Sequence, residues 1–491
     1  MKHLIFFVLA FLLTWGSLAQ TVEKPNVVII YADDLGYGDV SAYGATKIQT
    51  PHIDALAEEG VRFTNAHASA STCTPSRYSM MTGNYPFRKT GTNILPGDAK
   101  LIISPEEFTL PKVFKEAGYR TALIGKWHLG LGDAVEKNWN EEIKPGPLEV
   151  GFDYSFIFPA TADRVPTIFI ENHSVVGAEI ADPITVFYQH KVGNDPTGKE
   201  HPELLKMKAS PNHGHNNTIV NGIGRIGWMS GGYQARWVDE ELTSHAEEPF
   251  FLIYNTTEPH VPRMPATTFK GKSGLGYRGD AILQLDHTVG EIVRELKSQG
   301  IYENTIIIFS SDNGPVLDDG YEDGAVEKLN GHDPFGGFRG GKYSAFEAGT
   351  RMPFIVSWPA GIKTQKTSHA LVGQVDLLAS FARLLNVETP QNNAHDSYPM
   401  PDVFFGKSEK GRDELVKSSG TFSLIKGRYK YIQPSKGAKY NKLTDIELGN
   451  DTEEQLYDLE KDPGERENIA KKHPELIKEM KEILQRELDK S

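Results

Sequence analysis

Cys73 is the sole cysteine among 491 residues and is followed at once by Thr74, Pro75, Ser76 and Arg77. A lone cysteine cannot close an internal disulfide, so it either packs as a small hydrophobe or does chemistry. Thr74 can cap a helix, Pro75 suits a first helical position, and Tyr78 and Met81 continue the turn. This predicts Cys73 at the positive end of a helix, where an anion is stabilised. Two further pairs, Asp33-Asp34 and Asp312-Asn313, supply three carboxylates and an amide. These are hard oxygen donors, with no thiolate or imidazole among them, and favour calcium or magnesium over zinc.

The elements that must hold these residues read as strands buried on both faces, because short apolar runs end abruptly in polar residues rather than alternating with them. Asn26 to Ala32 delivers Asp33-Asp34, and Thr121 to Ile124 delivers Gly125-Lys126-Trp127-His128. Phe250 to Tyr254 leads to His260, and Thr305 to Phe309 leads to Asp312-Asn313. In an open α/β sheet the ligand site lies beyond the carboxyl ends of the strands, so four segments aim at one crevice. Apolar residues at helical spacing predict helices over Pro51–Glu59, Gly279–Lys297 and Val375–Leu385. The fold class expected is α/β, a large and mostly parallel sheet flanked by helices. After about Val387 the texture changes: a hairpin near Thr421–Ile432, a strand at Gln455–Leu459 and an amphipathic helix from Pro474 to Leu488 predict a small antiparallel sheet with a closing helix.

Met1-Lys2-His3, an apolar run from Leu4 to Leu13 and the exit Ser17-Leu18-Ala19 describe a cleavable secretory signal over residues 1–19. The expected division is a catalytic domain over 20–390 and a C-terminal subdomain over 391–491. Export by secretion machinery to the periplasm or the medium follows, and no later stretch reads as a membrane span. The formal net charge of -13 argues against general nucleic-acid binding. It leaves room for a local basic pocket.

Cys73 to Arg77 with Thr82-Gly83 resembles the activation motif of the type I sulfatases. The likeness extends in the family's order through Asp33 to Asp39, Thr50 to Asp54, Gly125 to Gly130, Pro259-His260, Ser311 to Gly314 and Gly341-Lys342 with Glu347, Gly349, Arg351 and Pro353. It covers most of Pro25 to Pro359 and returns at Leu456 to Asn468. The resemblance implies an alkaline-phosphatase-like fold and a sulfuric ester hydrolase. It implies that a maturation enzyme converts Cys73 to formylglycine, whose hydrate is the nucleophile, and that one calcium ion is held by Asp33, Asp34, Asp312, Asn313 and residue 73. By the same resemblance Arg77 and Lys126 orient the hydrate and His128 takes the proton that drives elimination. His260 protonates the departing sugar oxygen, and Lys342 neutralises sulfate charge.

The implied substrate is a sulfated carbohydrate, an oligosaccharide of an algal galactan or ulvan or a glycosaminoglycan, attacked near a chain end. Asp163, Arg164, His213, His215, Arg225, His332 and Arg339 are candidates to grip it, since their side chains suit sugar hydroxyls and a neighbouring anion. Two alternatives remain open at this point. One is a phosphomonoester or phosphonate-ester hydrolase of the same superfamily, and the other is a non-catalytic sugar-binding protein on the same fold.

Overall fold

The structure is a computed structural model that describes residues 24–162, 164, 166–178, 181, 183, 184, 186 and 248–490. Among these residues ten strands form one sheet, in the order β11-β2-β10-β9-β1-β8-β4-β5-β6-β7. Its centre is β1 (Asn26–Ala32), flanked by β8 (Phe250–Asn255) and β9 (Thr305–Ser311). β4 (Arg120–Lys126) and β5 (Tyr154–Phe158) continue beyond β8, and these five strands are parallel. β10 (Phe354–Ser357) runs antiparallel between β9 and β2 (Gly60–Phe63), while β11 (Lys366–Ser368) pairs with β2. The short strands β6 (Ile170–Glu171) and β7 (Ser174–Val175) close the far edge, and β3 (Ala66–His67) pairs separately with β12 (Val372–Gly373).

The unbroken apolar runs are explained by cover on both faces. Val27, Ile29 and Tyr31 point with Leu123, Ile253 and Ile308 into one core, beneath the helices Leu110–Glu116 and Leu377–Leu385. There Phe114 stacks on Phe251 with ring centroids 3.8 Å apart. The alternate residues Val28, Ile30, Ile124, Leu252 and Ile307 meet Ile282, Leu285, Val289 and Ile292 of the Gly276–Ser298 helix. Each buried aliphatic side chain contributes about 1.5–3 kcal/mol relative to exposure, so both faces are specified and the register is fixed. The large α/β sheet matches the expected fold class. Each strand read from the sequence is present, and the runs at β4, β8 and β9 extend one or two residues into their polar ends.

Past the large sheet, β13 (Glu414–Ser418), β14 (Phe422–Lys426), β15 (Tyr429–Ile432) and β18 (Gln455–Asp458) form an antiparallel sheet in that order. A small pair, β16 (Tyr440–Asn441) and β17 (Ile446–Glu447), lies between. The helix Pro474–Asp489 closes this layer through Ile477, Met480, Ile483 and Leu484. Tyr85, Leu371 and Val375 join the same cluster, while Phe404 and Phe405 pack in the core of the large sheet. The chain therefore touches the large layer after position 391 and enters the small sheet at Glu414. The expected signal segment lies outside the described residues. Among those described, no helix is long and apolar enough to cross a membrane.

The register places Ala32 beside Ser311, and Tyr31 and Gly125 on either side of Asn255. Asp33, Lys126, Asn255 and Asp312 consequently emerge together at the carboxyl edge of the sheet.

Candidate active site

Cys73 opens the helix Cys73–Thr82, whose every residue is buried. Thr72, in extended conformation, precedes it, and the Ser76 amide donates to the Thr72 carbonyl at 3.3 Å. Thr74 is therefore not the cap expected from the sequence. Its hydroxyl instead donates to the His128 carbonyl at 3.1 Å and accepts the Leu95 amide at 3.2 Å, tying the helix start to the loop after β4. Pro75 falls at the third helical position, where a missing N–H still costs no helical bond. The placement of Cys73 at the helix start stands.

Four buried carboxylates and three buried cations meet around Cys73. Both oxygens of Asp33 accept from Lys126 Nζ at 2.7 Å. Asp312 receives Arg77 through Nε at 3.0 Å and Nη2 at 2.8 Å. Asp34 accepts from Lys342 Nζ at 2.8 Å and from Asn313 Nδ2 at 2.7 Å, while Asp319 sits 3.3 Å from the same ammonium. Arg77 also lies over the Tyr31 ring, 5.2 Å from its centroid. Burial, opposed by Lys126 but aided by the Asp312 and Asp34 carboxylates, pushes Asp33 up to about 8. Burial acts on Asp34 in the same sense, yet Lys342 and Lys126 outweigh it and hold this carboxyl below its ordinary range.

The donor set fits a hard cation. Oxygens of Asp33, Asp34 and Asp312 lie within 4.8 Å of one another. Asn313 Oδ1 is buried without a hydrogen-bond partner, although its Nδ2 is engaged. A buried acceptor left bare costs about 1–3 kcal/mol unless something binds it. His260 also comes near two such groups, with Asp33 and Cys73 and with Asp34 and Asp319. Its Nε2, however, faces the Lys342 ammonium at 3.1 Å. The oxygen set is therefore the one open to a metal.

The two histidines are held as opposite tautomers. His128 Nε2 meets the Leu95 carbonyl at 2.9 Å, and because a carbonyl can only accept, Nε2 carries the proton. Nδ1 is left as a buried lone pair with no hydrogen-bond partner. Burial, then Lys126 and Arg164, hold His128 well below the usual histidine range, so it is neutral. His260 Nδ1 donates to the Val261 carbonyl, and its Nε2 accepts from Lys342. Burial lowers Lys342, but Asp34, Tyr343 and Asp319 together hold it well above its usual value and keep it charged. Three of these positions also have left-handed backbone without being glycine: Asp34 at φ 62°, His128 at φ 55° and Tyr343 at φ 74°. Such conformations cost about 1–3 kcal/mol each and persist where the surroundings fix them.

The structure thus brings together Asp33, Asp34, Cys73, Arg77, Lys126, His128, His260, Asp312, Asn313 and Lys342. Arg164 lies at the edge, close enough to depress His128, with Nη1 bonded to Thr161 Oγ1 at 2.6 Å. His332 and Arg339 are occupied elsewhere. His332 Nε2 meets buried Asp39 at 2.8 Å beside Arg278. Arg339 engages Glu447 and the Glu465 carbonyl, with Phe346 beneath it. Both therefore have structural partners within the chain. Asp163, His213, His215 and Arg225 lie outside the described residues. Asp319 was missed from the sequence, although the pair Asp318-Asp319 seven residues past Asp312 was an available signal.

Two family models match the chain: a sulfatase model over residues 25–387 and an N-sulphoglucosamine sulphohydrolase C-terminal model over 340–490. The chain is 53% identical over 480 residues to an N-acetylgalactosamine-6-O-sulfatase of Bacteroides thetaiotaomicron, covering 95% of this chain and 93% of the relative. It is 29% identical to human arylsulfatase A, covering 96% and 89%. A solved structure described under metabolism of multiple glycosaminoglycans by Bacteroides thetaiotaomicron superposes with a TM-score of 0.88 at 48% identity, covering 94% of this chain and 99% of that one. With this fold, these motifs and these relatives, the chain belongs to the sulfatase family and is a sulfatase enzyme.

Proposed function

We propose that the enzyme removes sulfate from a sulfated carbohydrate and that 6-O-sulfated N-acetylgalactosamine is the unit attacked. The motif around Cys73 and the relative at 53% identity support this reading. The observation that carries it is the convergence of Cys73, four carboxylates and three cations at the strand ends. Bound at Asp33, Asp34, Asp312 and Asn313, a calcium ion would supply positive charge for the sulfuryl oxygens. Cys73 as a plain thiol is poorly suited to attack: burial raises its pKa despite Lys126 and Lys342, and only a thiolate is nucleophilic. Conversion to formylglycine by a maturation enzyme would place a hydroxyl nucleophile at the same position.

The chain's own residues then divide the proton traffic. Lys126 and Arg77 hold Asp33 and Asp312 and fix the position of residue 73 between them. His128 offers the bare Nδ1 lone pair as a base. On the other side, the proton shared between Lys342 Nζ and His260 Nε2 is available to the departing sugar oxygen. We further propose export to the periplasm or medium through the segment at residues 1–19, which suits a polymer-derived substrate.

A His260→Ala variant tests the leaving-group assignment. A sugar alkoxide needs a proton to depart and a nitrophenolate does not, so the variant should lose about 10²–10⁴-fold on the sugar sulfate and far less on 4-nitrophenyl sulfate. Equal losses on both substrates would reassign His260 to binding the sulfate itself. No sulfate release by the wild type from any sulfated sugar would overturn the carbohydrate reading.

A further inference from the structure

Beside the charged site lies a cleft of about 680 Å³ between the start of the Cys73–Thr82 helix, the 86–94 loop and the small sheet. Its wall nearest the chemistry is Tyr343. The Tyr343 amide donates to the Ser71 carbonyl at 2.9 Å, and its hydroxyl donates to Asp319 at 3.2 Å. The left-handed backbone at Tyr343 sends Lys342 to the carboxylates and places the Tyr343 ring between that ammonium and the cleft. The cleft adjoins the charged cluster: Thr72 and Tyr343 line it, their chain neighbours Cys73 and Lys342 belong to that cluster, and Lys342 Nζ also meets His260 Nε2.

Its lining is chemically unlike that cluster. Among the described residues no charged side chain lines it. Phe87 and Phe422, edge to face at 5.1 Å, provide aromatic surface, and Asn93, Asn441 and Thr72 provide uncharged hydrogen-bonding groups. Aromatic surface with a few fixed amides and hydroxyls suits a ring with apolar faces and a polar rim. A carboxylate or second sulfate there would lose its hydration without gaining a cation.

We propose that this cleft is the subsite for an uncharged saccharide ring on the leaving side of the ester, with Phe422 and Asn441 as specificity-determining residues. The proposal rests on the carbohydrate reading above and adds the place and the charge of the ring bound. It makes the small C-terminal sheet part of the selectivity of the enzyme.

Three measurements test it on the matured full-length protein. Phe422→Ala and Asn441→Ala should lower kcat/KM for N-acetylgalactosamine 6-sulfate at least about ten-fold more than for 4-nitrophenyl sulfate, mainly through KM. Asn441→Lys should shift the ratio of rates on a uronate-linked disaccharide to rates on the monosaccharide by about ten-fold toward the charged substrate. Binding of unsulfated N-acetylgalactosamine to Cys73→Ala, followed by calorimetry, should weaken when Phe422→Ala is added. Parallel losses on sugar and aryl sulfates, or unchanged calorimetric binding, would overturn the cleft assignment while leaving the sulfatase reading intact. Absence of sugar-sulfate turnover with Phe422-dependent sugar binding would instead sink the carbohydrate reaction and leave the subsite standing.

Discussion

Two of the buried charge clusters among the described residues differ in their balance of acid and base. At the strand ends, Asp33, Asp34, Asp312 and Asp319 face Lys126, Lys342 and Arg77, one more acid than base. Where the small sheet meets the large one, Glu347 lies 2.8 Å from Lys417 and 3.0 Å from Lys430, and Lys430 lies 2.8 Å from Glu465. Arg351 adds a further cation at 3.4 Å from Glu347. The first cluster carries one surplus carboxyl, with Asp33 pushed up to about 8, a bare Asn313 oxygen and a bare His128 nitrogen. The second sets Glu347 and Glu465 against Lys417, Lys430 and Arg351, one more cation than acid, so every carboxylate in it has a cation beside it. Burying charge is costly in either place, so a set whose carboxylates all meet cations joins layers, while a set with a surplus carboxyl and an open oxygen donor suits a further cation.

The widest separation is expected from the first cluster's nucleophile. Cys73→Ala should abolish turnover, a loss of at least about 10³–10⁴-fold, with little change in melting temperature because a small buried side chain is replaced by a smaller one. Sulfate release and thermal unfolding measured on the same sample check both halves. Substantial activity in the alanine variant would contradict the chemistry assigned to position 73.

Chelation should come next. Removing a divalent cation from Asp33, Asp34 and Asp312 should remove activity and lower the melting temperature together, since a ligand that binds the folded state stabilises it. Calcium should restore both. Recovery with zinc and none with calcium or magnesium would contradict the oxygen donor set.

The second cluster should respond in the opposite proportion. Glu347→Ala leaves Lys417 and Lys430 facing each other, and breaking a buried pair from one side costs about 3–5 kcal/mol. Burial, against the attraction of Glu347, already brings Lys417 down to about 8, so loss of that carboxylate removes its main counter-charge. Denaturant midpoints should fall sharply, while the surviving folded fraction keeps turning over. A variant as stable as wild type but catalytically dead would move Glu347 into the active site.

The contrast also marks what was legible in the sequence. The strand-end residues could be read because apolar runs buried on both faces stop abruptly, and Asp33, Lys126 and Asp312 are the first charged groups beyond them. The second cluster was not legible: Glu347, in a short helical turn, pairs with residues 70 and 83 positions away in the small sheet, and no local pattern encodes that distance. For His332 and Arg339, likewise, residue type was visible and partner was not. Asp39 and Glu447 claim them. Thr74 failed as a cap because its hydroxyl is taken by the His128 loop, a tertiary contact that overrides local helix-start chemistry.

The smallest effect separates the clusters through two buried histidines. Burial, then Lys417, holds His67 well below its usual pKa, as burial and Lys126 hold His128. Below the unfolded value of about 6.5 the unfolded chain takes up protons that the folded chain refuses. Stability therefore falls as pH is lowered from 6.5 toward the folded pKa values. Glu347, lowered despite burial by Lys417 and Lys430, adds the same sense below its ordinary range. Glu465, raised by burial, works against it. Each histidine can contribute at most about 1.4 kcal/mol per pH unit. His67→Gln should thus flatten the slope of stability against pH by up to one proton, leaving the pH profile of kcat unchanged. His128→Gln should flatten the stability slope similarly but cost most of the activity, because Nδ1 is the proposed base. Urea unfolding at pH 7, 6 and 5 reads the slopes. Equal loss of activity in both variants would erase the distinction between a histidine that joins layers and one that moves a proton.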